Sequence, residues 1–260
     1  EKGSKEYEDA CKKYKDELRT AKKSKLITQI QMIFQDPIAS LNPRMTVQEI
    51  ISEGLVIKGI KDKEYIQQRV YEILELVGLV KEHATRYPHE FSGGQRQRIG
   101  IARSVIMNPD MIIADEPTTA LDVTIQAQIL ELLKDLQKKQ GCSIMLITHD
   151  LGVVAKSCDR VAIMYAGEII ETGTVEQIFS GDHHHPYTVG LFESIPDLKK
   201  KTRRLHPIDG LMPDPTDLPE GCKFHTRCPQ CMDICKNKIP SPMEKEGHVI
   251  CCHLYNETTD

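Results

Sequence analysis

The sequence predicts an α/β fold: a parallel-sheet core, an inserted helical subdomain and a Cys-rich C-terminal extension. Three observations carry this prediction. The apolar run Met111 to Ala114 ends in Asp115 and Glu116, the pattern of a buried parallel strand that delivers charge to its C-terminal edge. A helix-spaced segment from Ile125 to Lys139 and a second apolar run from Ser143 to Thr148 follow, and strand, helix, strand of this length implies a right-handed crossover. Residues from about 37 to 107 repeat with helical spacing, and six of the nine cysteines fall between Cys222 and Cys252.

The elements follow in order. Residues 1–25 mix Lys with Glu and Asp and hold few apolar side chains, which reads as a charged tail with no assigned role. Leu26 to Phe34 has a strand pattern that Gln35-Asp36-Pro37 breaks. Within Thr46 to Val80, one helix aligns Val47, Ile50, Ile51 and Leu55, and a second aligns Val70, Ile73, Leu74 and Val77 before Gly78 stops it. Ser92 opens a third helix with Ile99, Ala102 and Ile106 on one side, and Asn108-Pro109 ends it. Val161 to Tyr165 and Glu168 to Glu171 read as a hairpin around Ala166-Gly167. Pro, Gly and Cys rise from His183, so the core domain is placed at 26–182 and the extension at 183–260. The triple histidine His183 to His185 is able to bind metal, yet its reading here is an exposed polar linker.

Composition narrows the function. A net charge of −4 gives no global pull toward nucleic acid. The longest apolar stretches, such as Ser143 to Ile147, are far too short to span a bilayer, and no signal peptide is visible. The expectation is a soluble chain that reaches a membrane only through a partner.

Two segments carry chemistry. Ser92-Gly93-Gly94-Gln95 sets two glycines at a helix start, where exposed N–H groups can hold phosphate. The same Ser92-x-x-Gln95 is also a capping box, which by itself would only close a helix end. Asp115 and Glu116 suit magnesium and water, though ordinary strand-end acids look the same. Their order and spacing, with Pro117-Thr118-Thr119-Ala120-Leu121-Asp122 directly after, favour a nucleotide site.

With those residues together, the chain resembles the ATP-binding subunit of ABC transporters, a P-loop NTPase-like fold. Phe91 to Gln95 is similar to the family signature, Ile112 to Pro117 to its Walker B strand, and Ala120-Leu121-Asp122 to its D-loop. The tail resembles that of dipeptide and oligopeptide (peptide/nickel) importer subunits, in Leu218-Pro219-x-Gly221-Cys222, Arg227-Cys228-Pro229 and Gly247-His248. A Gly-x-x-x-x-Gly-Lys-Ser/Thr loop is expected upstream of Gln35. The nearest imitation, Gly54 to Gly59, is followed by Ile60-Lys61-Asp62, which lacks the lysine in register and the hydroxyl. The expectation is an N-terminally truncated chain, inactive alone because that loop is missing.

The resemblance implies ATP and Mg2+ as ligands. Asp115 and Gln35 would hold magnesium, Glu116 would polarise the attacking water with Gln35, and His149 would contact the terminal phosphate. Ser92, Gly93, Gly94 and Gln95 would meet the nucleotide of a second, head-to-tail ATPase subunit, and Asp122 would cross that interface. Further implied partners are two membrane-spanning permease subunits and, indirectly, an extracellular solute-binding protein. No nucleic acid is implied, and the location would be peripheral, on the cytoplasmic face of the membrane. The solute would be a di- or oligopeptide. Two alternatives are a soluble ABC-type ATPase not tied to transport and a non-catalytic metal-binding module. In a reducing cytosol, Cys222, Cys228, Cys235 and Cys252 suit a metal site better than disulfides. The resemblance favours a [4Fe–4S] cluster, with zinc or free thiols as alternatives, and Cys231 and Cys251 as spares.

Overall fold

The computed structural model describes residues 13–14, 29–119, 121–194 and 208–255. Most of the charged segment at 1–25, the strand start at 26–28, Ala120 and Ile195-Pro196 lie outside them. The chain divides into two compact units, 1–149 and 150–260.

In the first unit three parallel strands, β1 (Ile30–Ile33), β2 (Met111–Asp115) and β3 (Ser143–Ile147), lie in the order β1-β2-β3. Ile33 pairs with Ala114, and Asp115 with Ile147, so all three strands end at one edge. Between β1 and β2 come α1 (Val47–Ile57), α2 (Lys63–Leu76), two 3-10 turns and α3 (Gly93–Val105); α4 (Val123–Gln140) is the crossover to β3. Each helix starts on a side-chain cap that accepts first-turn N–H groups: Thr46 for α1, Asp62 for α2, Ser92 for α3 and Asp122 for α4. With Asp122 as its cap, α4 starts at Val123, two residues before the expected Ile125. Past α2, Gly78 turns the chain with φ +75°, and a Cβ there would meet the Arg98 guanidinium at 3.1 Å.

The expected apolar faces meet in one core. Ile51, Leu55, Val70, Leu74, Ile99 and Ile106 are buried with Ile112 and Ala114 of β2. Polar bonds pin the helical insert to the strand before it. The buried Ser104 hydroxyl donates to Met32 O (3.1 Å), and Arg103 donates to Ser40 O (2.6 Å) while lying over the Phe34 ring.

The second unit holds α5 (Leu151–Ser157), β4 (Arg160–Tyr165), β5 (Glu168–Thr174), α6 (Val175–Ser180), α7 (Pro186–Glu193), α8 (Asp233–Asn237), β6 (Pro242–Lys245) and β7 (His248–Cys251). The hairpin around Ala166-Gly167 forms, with both residues at positive φ as a two-residue turn requires. An antiparallel sheet runs β4-β5-β7-β6, so the tail supplies two strands beside β5. Its second hairpin turns on Glu246-Gly247, again at positive φ.

The reading of His183 to His185 as an exposed linker is corrected here. His183 is exposed, but His185 is only 1% exposed and His184 is largely covered. The reason is Glu171, a fully buried carboxylate on β5 that the two histidines help to satisfy.

Candidate active site

Asp115 ends β2, and Gln35, Glu116 and His149 follow the C-terminal ends of β1, β2 and β3, where parallel sheets place ligands. The Gln35 and His149 side chains converge on Glu116. Its Oε2 accepts from Gln35 Nε2 (2.8 Å) and from the Thr119 hydroxyl (2.7 Å), and its Oε1 lies 3.0 Å from His149 Nδ1. The bonds from Thr119 and then His149 hold the Glu116 carboxyl below the usual carboxylate range, so it is ionised at neutral pH.

The backbone aims this group. Glu116 has φ +41°, an uncommon conformation for a side-chain-bearing residue, and its N–H donates to Ile147 O (2.9 Å). Pro117 and the two threonines then turn the chain so that Thr119 returns to the carboxylate that precedes it by three residues. Thr119 was missed as a site residue. The only signal was its spacing from Glu116.

The Ser92–Gln95 group sits at the start of α3. The Ser92 hydroxyl accepts from Gln95 N–H (3.4 Å), and Gln95 Oε1 accepts from Ser92 N–H (3.0 Å), so the capping box is formed. Gly94 has a packing reason to lack a side chain: a Cβ there would meet Ile125 of α4 at 2.7 Å. Asp122 Oδ1 accepts from Ile125 N–H (3.0 Å).

In the second unit, Cys222, Cys228, Cys235 and Cys252 are free thiols, and Cys222 and Cys228 also feel the charge of Cys231. Burial, then repulsion from the other three, pushes Cys252 up to about 11, and burial likewise raises Cys222 and Cys228. Cys222 N–H donates to Cys235 O (2.9 Å). The mutual repulsion places these thiols near one another, while among the described residues the one group whose donor atoms lie within 4.8 Å of each other is Glu171, His184 and His248, not the cysteines. Cys231 is exposed.

An ionised glutamate at the C-terminal edge of a parallel sheet, beside a second carboxylate and in a chain with a glycine-opened helix, is the equipment of a nucleotide hydrolase. Comparison with known proteins gives the family. Residues 4–119 match the ABC transporter family, and residues 170–235 match the oligopeptide/dipeptide transporter C-terminal region. The chain is 49% identical over 233 residues to the oligopeptide transport ATP-binding protein AppD of Bacillus subtilis, covering 88% of this chain and 70% of that protein. It is 48% identical over 234 residues to the dipeptide transport ATP-binding protein DppD of the same organism, with 89% and 70% covered. Among solved structures, cbiO1 of Clostridium perfringens, part of an ABC transporter complex, aligns with TM-score 0.54 at 33% identity over 60% of this chain and 61% of that one. A post-hydrolysis dimer of the ATP-binding cassette MJ0796, bound to ADP and Pi, aligns with TM-score 0.51 at 33% identity over 56% of this chain and 63% of that one. The chain belongs to the ABC transporter ATP-binding subunits, in the oligopeptide/dipeptide group.

Proposed function

We propose that this protein is the ATP-hydrolysing subunit that energises an importer of di- or oligopeptides. The observation that carries the proposal is the convergence of Gln35, Thr119 and His149 on an ionised Glu116 at the sheet edge. Three directional contacts fix the carboxylate where it can accept a hydrogen bond from a water aligned on the terminal phosphate. Its depressed affinity for protons suits polarising and orienting that water rather than deprotonating it fully. Asp115, with Gln35, would hold magnesium, which supplies charge neutralisation to the phosphate oxygens. His149 is exposed at the site, free to swing its ring from Glu116 to a phosphate oxygen.

The ADP-bound dimer among the structural relatives supports a two-subunit arrangement. In it, Ser92 to Gln95 would face the other subunit's nucleotide, and Asp122 would lie at the interface. ATP bridges such a pair and hydrolysis removes the bridge, so chemistry becomes opening and closing. Among the described residues no helix is long and apolar enough to cross a membrane. Two permease subunits would receive the motion at the cytoplasmic face, with the solute-binding protein acting beyond them. The Arg103–Ser40 bond links the segment after Gln35 to α3, so a change at the nucleotide can reorient the helical insert. The four-cysteine lobe would hold a structural [4Fe–4S] cluster or zinc, with Cys222, Cys228, Cys235 and Cys252 as ligands.

The test is Glu116→Gln in the assembled transporter. Hydrolysis should fall about 10²- to 10⁴-fold while nucleotide binding persists. Turnover that survives the substitution would refute the assignment. Iron, sulfide and zinc analysis of anaerobically purified protein decides the cysteine lobe.

A further inference from the structure

Glu171 turns one carboxylate oxygen toward two histidine nitrogens. Its side chain is fully buried, and its described partners include no lysine or arginine. Oε2 is satisfied by the His185 N–H (2.9 Å) and the Thr188 hydroxyl. Oε1 faces His184 Nδ1 at 2.8 Å and His248 Nε2 at 2.9 Å. The other nitrogen of His184, Nε2, lies 2.9 Å from Gly181 O. A carbonyl only accepts, so Nε2 carries the hydrogen, and the Nδ1 of a neutral ring presents a lone pair. With a neutral ring, two lone pairs then face each other at 2.8 Å inside the protein, an arrangement that a bound cation relieves.

We propose that this cation is a divalent metal of the zinc type, held by Glu171 Oε1, His184 Nδ1 and His248 Nε2. The three atoms lie within 4.8 Å of one another. Two imidazoles and one carboxylate oxygen form the donor set of a zinc site with one position left open, and nitrogen-rich donors select borderline ions over magnesium or calcium. The surroundings match what metal ligands need. His184 donates its remote N–H to a backbone carbonyl, which fixes the tautomer, and the free carboxylate oxygen is held by a hydroxyl and an amide. Gly173 makes room: a Cβ there would meet the His248 ring at 3.1 Å. The ion would tie β5, the segment before α7 and β7 together across 77 residues of chain. It is separate from the cysteine lobe and does not depend on the transporter reading.

Cobalt substitution tests this, because its visible spectrum separates nitrogen and oxygen ligands from thiolates. Chelator-treated full chain should take up one equivalent of Co2+ that shows ligand-field bands without a sulfur charge-transfer band. His248→Ala should lose that equivalent, and the exposed His183→Ala should keep it. Thr188→Val should weaken it roughly ten- to a hundredfold. Should His248→Ala fold poorly, His248→Cys keeps a ligand and should add a sulfur band to the same equivalent. Zinc-edge anomalous diffraction should place the ion at the three atoms. Absence of any sulfur-free equivalent, or its survival in both His184→Ala and His248→Ala, would overturn the site in favour of a shared proton.

Discussion

Gly221→Ala should unfasten the cysteine lobe. Gly221 has φ +62°, and a Cβ there would lie 2.4 Å from Cys235 O, 2.8 Å from Lys236 C and 3.0 Å from Asn237 N, all backbone atoms. The left-handed conformation alone costs an alanine about 1–2 kcal/mol, partly offset by the stiffer unfolded chain. The close approach cannot be relieved by turning a side chain, so a backbone shift adds about 1–3 kcal/mol. Gly167 supplies the control, with φ +82° and nothing within 4 Å of its added Cβ. Gly167→Ala should cost about 1 kcal/mol and Gly221→Ala about 3 kcal/mol. At roughly 4–8 °C per kcal/mol for a domain of this size, the gap is on the order of 10 °C in the unfolding midpoint of the second unit. The same shift strains the Cys222 N–H bond to Cys235 O, so metal content should fall in Gly221→Ala only. Differential scanning calorimetry with metal analysis is the assay. Equal losses in the two variants would show that left-handed strain, not close packing, accounts for Gly221.

Three further predictions follow from the geometry. Thr119→Val removes one of the contacts that orient Glu116 and should slow ATP turnover about ten- to a hundredfold with little change in nucleotide affinity, measured by steady-state kinetics of the assembled transporter. Burial lowers His185 to about 4 from an ordinary 6.5, so the unfolded chain binds the extra proton first as pH falls. Stability of the second unit should therefore be fully present above about pH 6.5 and decline by at most about 1.4 kcal/mol per unit down to about pH 4, visible as a falling midpoint that His185→Asn flattens. Arg103→Ala frees the segment that carries Ser40 and should leave basal hydrolysis near normal while uncoupling it from peptide uptake; cross-links from Asn42 that never reach a permease subunit would count against this route.

The sheet edge was legible because its signals are local. Met111 to Asp115 forms the expected strand, since an apolar run ending in carboxylates has few other uses. Gln35, Glu116 and His149 gather because each directly follows a parallel strand, and parallel strands share one outgoing edge. The histidine segment was misjudged for the opposite reason. Three consecutive polar residues look like linker, and their partner Glu171 lies 13 residues upstream on a strand that reads as ordinary. The β6–β7 hairpin escaped too, because its four-residue strands carry no long alternation and their pairing depends on β5. The turn residues Glu246-Gly247 were its one local mark.

The pairing of β7 with β5 bears on how such proteins can be recombined. A cut at the compositional break near 183 would leave β5 with an open rim of main-chain donors and acceptors, an invitation to stick to other chains. The same cut would strip Glu171 of every described side-chain partner, stranding a carboxyl group in the interior without hydrogen bonds. A chimera that borrows the cysteine-bearing tail should therefore carry β4 and β5 with it. Inheritance here runs by sheet rather than by composition, and the natural seam for domain grafting lies near His149.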